Sequence, residues 1–164
     1  MVRSRSAVRV RATAPMKILS IDYGKKRIGL AVCDESETLA SRFLTLENKS
    51  LRKSVEEIKK IISKENIKKI VVGVPVGFKG ESEQTGKVRK FIGELSKSID
   101  LPIIEINEIF TSKIAEENLI KAGMKDIKKV IDQEAARIIL QDYLEKAPNH
   151  ESRIKNQESR VIYS

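Results

Sequence analysis

Residues 17–33 read Lys17-Ile18-Leu19-Ser20-Ile21-Asp22-Tyr23-Gly24-Lys25-Lys26-Arg27-Ile28-Gly29-Leu30-Ala31-Val32-Cys33. Two short apolar runs flank a basic, glycine-bearing turn, and that pattern predicts two antiparallel strands joined by a hairpin. A polar turn at 34–37 leads to a third strand over 38–46, completing a meander. Beyond it Ser50 is placed to cap a helix whose buried stripe is Leu51, Val55, Ile58, Ile61 and Ile62, ending near Asn66. Residues 69–74 are almost continuously β-branched, as in a strand covered on both faces, with Pro75 and Gly77 as its stop. Residues 78–86 are polar and weakly periodic and read as a mobile loop. A helix over 87–98 follows, burying Val88, Phe91, Ile92 and Leu95. A strand over 102–109 comes next, then a helix capped by Thr111 or Ser112 and stopped near Gly123, and a last helix over 130–144. The order β-β-β-α-β-α-β-α-α implies an α/β fold: a mixed sheet made of an antiparallel three-strand meander followed by two parallel strands, with helices on its faces.

Composition narrows the function. The chain has 164 residues, about one domain's worth, which excludes a two-domain kinase or polymerase. Its formal charge of +9 favours anionic partners, nucleic acid first among them. The excess is uneven. Residues 1–15 hold Arg3, Arg5, Arg9 and Arg11 and no acid, and residues 147–164 carry +1, which leaves +4 on residues 16–146. Residues 1–15 read as a disordered basic extension, and 147–164 as a polar C-terminal tail. One cysteine, Cys33, excludes an intramolecular disulfide, and a single His150 in the tail argues against a zinc site. No apolar run is long enough to span a bilayer, so a cytoplasmic protein is expected.

Three carboxylates end elements of this scheme. Asp22 closes the first strand on the face shared by Ile18 and Ser20, and Glu108 closes a later strand on the face of Ile104 and Ile106. Asp132 heads the buried stripe of the last helix, because Ala135, Ala136, Ile139 and Tyr143 follow at helical spacing. Singly, each has an ordinary explanation in a turn, a strand rim or a helix dipole. Together, if they converge, they make an all-oxygen site for Mg²⁺ or Mn²⁺ suited to hydrolysing a phosphodiester. Around them stand Lys25, Lys26 and Arg27 on the hairpin tip, Gly24 permitting close backbone approach, and Lys79, Lys87 and Arg89 flanking the 78–86 loop. These are candidate contacts to a phosphate backbone, with ordinary surface charge as the alternative. Aromatic residues make up 4% of the chain, too few to argue for base stacking.

At these residues the chain resembles the YqgF family, also called RuvX, of bacterial RNase H-like proteins. The resemblance covers residues 16–146 and rests on the run from Ile21 to Val32, on Val71-Val72-Gly73-Val74-Pro75, on Asn107-Glu108 followed by Thr111-Ser112, and on Asp132-Gln133-Glu134-Ala135-Ala136 with Ile139 to Leu144 after it. It implies an RNase H-like fold with helices on both faces, and an acidic triad falling on Asp22, Glu108 and Asp132. It also implies a metal-dependent endonuclease that processes the 5′ end of pre-16S rRNA, with structured RNA and ribosomal particles as partners. The alternative within the family is a Holliday junction resolvase acting on branched DNA, where symmetric cleavage calls for a homodimer and not a monomer. The family pattern Asp-Glu-Arg-Leu-Thr-Thr is replaced here by Asn107-Glu108-Ile109-Phe110-Thr111-Ser112, and an Asn-Met-Asp-Gly-like run by Gly77-Phe78-Lys79-Gly80. These departures keep the triad and motivate a third reading, a noncatalytic RNA- or ribosome-binding module. An actin-like or sugar-kinase fold is excluded by length, since a second lobe would not fit.

Overall fold

The computed structural model describes residues 16–147 except Phe78, Ile109 and Phe110, and leaves out the side chains of Thr111, Ser112 and Lys129. The expected basic extension at 1–15 and all but the first residue of the expected 147–164 tail lie outside the described residues. Among the described residues, six strands and four helices follow the expected order with one addition: β1 Ile18–Tyr23, β2 Arg27–Cys33, β3 Ala40–Glu47, α1 Leu51–Lys64, β4 Lys69–Gly77, β5 Gly80–Glu81, α2 Glu83–Ser98, β6 Ile103–Glu108, α3 Thr111–Lys121 and α4 Ile127–Lys146. β3, β2 and β1 form the antiparallel meander, β4 runs parallel beside β1, and β6 runs parallel beside β4.

Alternation along the central strands divides the core in two. One face of the sheet packs Leu19, Ile21, Leu30, Val72 and Val74 against Val55 and Ile58 of α1 and Val88, Phe91 and Leu95 of α2. Phe91, fully buried, stacks on Tyr23 with ring centroids 4.3 Å apart. The other face packs Ile18, Ala31, Cys33 and Val71 against Ala136, Ile139, Leu140 and Leu144 of α4. Helices therefore cover both faces, and the small Ala135 and Ala136 let α4 lie close to the sheet.

Three expectations are corrected. β4 continues through Pro75 to Gly77 instead of stopping at 74. The Pro75 carbonyl accepts a hydrogen bond from Thr85 of α2, outside the strand ladder. A strand residue's N–H and C=O point to the same side, so the missing N–H breaks no bond to β6. The segment read as a loop over 78–86 contains β5, paired with the end of β4, and the start of α2 four residues earlier than expected. Ser82 and Thr85 form a reciprocal capping box there, a Ser-x-x-Thr signal masked by the polar composition. α4 begins at Ile127, three residues before the expected start, which puts Asp132 in its second turn. A helix dipole acts mainly on the first turn, so it does not account for this carboxylate.

Candidate active site

One level of the sheet is built from glycine and acid. Asp22 pairs with Gly29 of β2 on one side. On the other side Val72 is the partner of Ile21, so Gly73 of β4 stands beside Asp22. Both glycines leave room that a side chain would fill. A Cβ on Gly29 would collide with the main-chain carbonyl of Asp132, and one on Gly73 would collide with Oε2 of Glu108 and with Ile139. β6 is displaced along the sheet, so Glu108 pairs with Pro75 and its carboxylate reaches back over Gly73. Asp22 and Glu108 thus meet on the face covered by α4, and α4 seats Asp132 directly on β2.

This proximity has an electrostatic signature. Burial pushes the Asp22 carboxyl up to about 8, with the charge of Glu108 and then that of Asp132 adding to the rise. Burial likewise pushes Glu108 up to about 7. Its Oε2 is buried and has no hydrogen-bond partner among the described residues. Two neighbouring carboxyls in a dry setting resist double ionisation, and a divalent cation relieves both the desolvation and the repulsion. An orphaned carboxylate oxygen within an all-oxygen donor set fits Mg²⁺ or Mn²⁺ chemistry. Asp132 is engaged elsewhere: Arg27 Nε donates to its Oδ2 at 2.7 Å. Among the described residues no three His, Cys, Asp or Glu side chains stand close enough together to hold one ion jointly.

The predicted basic residues fall on the same rim in different states. Lys25 and Lys26 are exposed on the hairpin tip. Gly24 serves that tip internally: its N–H donates to the Arg27 carbonyl at 2.9 Å, and a Cβ there would lie 2.5 Å from the same oxygen. Lys79 is exposed, whereas Lys87 pairs with Glu83 at 2.7 Å and Arg89 with Glu81. Lys87 and then Lys25 hold the Glu83 carboxyl below its usual range, so the hairpin tip lies beside the first turn of α2. Asn107 is exposed and alternates away from the face of Glu108.

Sequence reasoning missed the residues that hold this rim together. Asn48 accepts from Ser54 of α1 at 2.9 Å, donates its side-chain amide to the Gly24 carbonyl at 2.8 Å and donates its backbone N–H to the Lys26 carbonyl at 2.8 Å. Gln84 Nε2 donates to the Tyr23 carbonyl at 2.8 Å, next to Asp22. These bonds join positions far apart in sequence and leave no periodic trace. Gly29 did leave one, since a glycine inside a strand marks close backbone approach.

Three comparisons with known proteins bear on the family and the fold. The RuvX family model, described as "Holliday junction resolvase", matches residues 16–146. A protein of Maridesulfovibrio salexigens named "Putative pre-16S rRNA nuclease" is 38% identical over 135 residues, covering 80% of this chain and 100% of the relative. One of the same name from Syntrophus aciditrophicus is 40% identical over 133 residues, covering 79% and 89%. The fold is similar to that of RuvC of T. thermophilus, solved in complex with Holliday junction substrate, with TM-score 0.55 and 14% identity over 79% of this chain and 94% of that one. It is also similar to the Fowlpox virus resolvase, solved with Holliday junction DNA, with TM-score 0.53 and 15% identity over 79% and 97%. These structural likenesses establish the RNase H-like architecture.

Proposed function

Because the chain belongs to the RuvX family, we propose that it is a divalent-metal-dependent endonuclease acting on the precursor of 16S rRNA. The observation that carries the chemistry is the meeting of Asp22 and Glu108 above Gly73, with Asp132 near enough to add to the rise in the Asp22 pKa. Asp22 and Glu108 would hold the cation, with Asp132 as the third carboxylate. The ion, when bound, supplies Lewis-acid polarisation of a phosphoryl oxygen and a lowered pKa for the attacking water. The chain's own residues do the rest. The two carboxylates fix the charge at one level of the sheet, α4 packs across that level, and Lys25, Lys26 and Lys79, exposed and without a salt bridge among the described residues, offer cations to the sugar-phosphate backbone.

The test is a cleavage assay with Mg²⁺ or Mn²⁺ on a precursor rRNA fragment and on a four-way DNA junction, with wild type and Asp22→Asn side by side. Wild type cuts the RNA and Asp22→Asn loses at least about a hundredfold in rate, as expected when a group acting in the transition state is removed. Equal rates in the two proteins would sink the assignment of chemistry. A second reading is favoured by the description of the matching family, Holliday junction resolvase. Paired symmetric nicks in the junction with the RNA spared would move the assignment to branched DNA.

A further inference from the structure

Of the three carboxylates, Asp132 alone has a hydrogen-bonded cationic partner among the described residues, and that partner, Arg27, stands on the rim facing solvent. We propose that Arg27 is a positioning residue that competes with the divalent cation for Asp132 and releases it when a phosphodiester takes the guanidinium. The proposal rests on the reading of the carboxylates as metal ligands. Arg27 Nε lies 2.7 Å from Asp132 Oδ2, and the two side chains are 49% and 21% exposed, so the pair sits at the mouth of the site. The main chain beneath it is fixed: the Arg27 carbonyl accepts from Gly24 N–H, and Asn48 N–H bonds the neighbouring Lys26 carbonyl. Exchange of partners therefore requires only side-chain rotation. A guanidinium presents a planar fork that suits phosphate oxygens as well as carboxylate oxygens, and only its Nε is bonded to Asp132. With Arg27 in place, Asp132 is drawn toward the rim. This accounts for the lack, among the described residues, of a joint three-carboxylate group in a site whose other two members already meet. Nucleic-acid binding and completion of the metal site become coupled, and by linkage each strengthens the other.

The test measures Mn²⁺ binding to the full chain by titration calorimetry, with no turnover involved. Without nucleic acid, Arg27→Met should bind Mn²⁺ about five- to tenfold more tightly than wild type, since a competing ion pair and a repelling cation are both removed. Most of that gain should vanish on an Asp132→Asn background. A nuclease-resistant 2′-O-methyl RNA hairpin should raise the Mn²⁺ affinity of wild type and leave that of Arg27→Met unchanged. Equal affinities for wild type and Arg27→Met, with Asp22→Asn still weakening binding, overturn the gate and leave the metal site standing. A gain that persists in full on the Asp132→Asn background also overturns it, because Arg27 then acts by charge alone. If Asp22→Asn and Glu108→Gln both bind Mn²⁺ as wild type does, the metal site itself is wrong and the gate falls with it.

Discussion

Asp22 folds most comfortably as a neutral acid, and this has a definite sign in stability. Its native pKa of about 8 lies above the ordinary carboxyl value of 3.8. Below the ordinary value both states hold the proton and the burial carries no charge penalty. As pH rises from about 4 to about 8 the unfolded chain ionises while the native state keeps its proton, so unfolding becomes easier across that window. Glu108 acts in the same sense up to about 7. Metal-free protein should accordingly melt several degrees higher at pH 5 than at pH 8, and Asp22→Asn should flatten that dependence, as read by calorimetry in chelating buffer. Added Mg²⁺ should raise the melting temperature at pH 8 and much less at pH 5, where protons hold the ligands. The glycines give a second residue-scale expectation. Gly29→Ala sets a methyl against the Asp132 main chain, and with no flexible neighbour to yield, it should cost on the order of 1–3 kcal/mol in denaturant unfolding. That Asp22, Glu108 and Asp132 lie toward one face of the sheet was legible in the sequence, because strand alternation and helix spacing fix the face of a side chain. The pairing of Arg27 with Asp132 was not, because it depends on where α4 lies across β2.

At the scale of elements, the rim depends on polar ties between a helix and a turn. Asn48 joins the hairpin tip to α1 through three hydrogen bonds. Asn48→Ala removes the two side-chain bonds and keeps the backbone one, so it should cost roughly 2 kcal/mol, at about 1 kcal/mol per bond, and should speed hydrogen exchange at the 24–27 turn more than in the core. Ser82→Ala removes one half of the α2 capping box and should cost about 1 kcal/mol. α1 shows what a clear pattern delivers: its Ser50 cap and apolar stripe were read correctly, and its end at Lys64 falls two residues short of Asn66. α2 shows the opposite. Its first turn is made of Glu83, Gln84 and Thr85, whose polarity reads as loop until their partners on β1 and β4 are known. Pro75 similarly looked like a stop, and became a strand residue because its carbonyl faces a helix and not the ladder.

For the whole molecule, the candidate phosphate-binding cations beside the site are only partly free. Lys87 and Arg89 are committed to glutamates, whereas Lys25 and Lys26 project from the hairpin. Lys25→Ala should lower the slope of log affinity against log salt for RNA by about 0.7–0.9, and Lys87→Ala by clearly less, in filter-binding titrations. The division of labour between the two faces of the sheet is equally plain. The face toward α1 and α2 carries the aromatic stack and the larger core cluster, and the face toward α4 carries the acids. Because β2 and α4 touch backbone to backbone at Gly29, the height of the third carboxylate above the sheet is a dimension of the polypeptide itself. Substitutions further along α4 can then trade one apolar side chain for another without changing that height. The reactive geometry is in this way insulated from drift in the core that supports it.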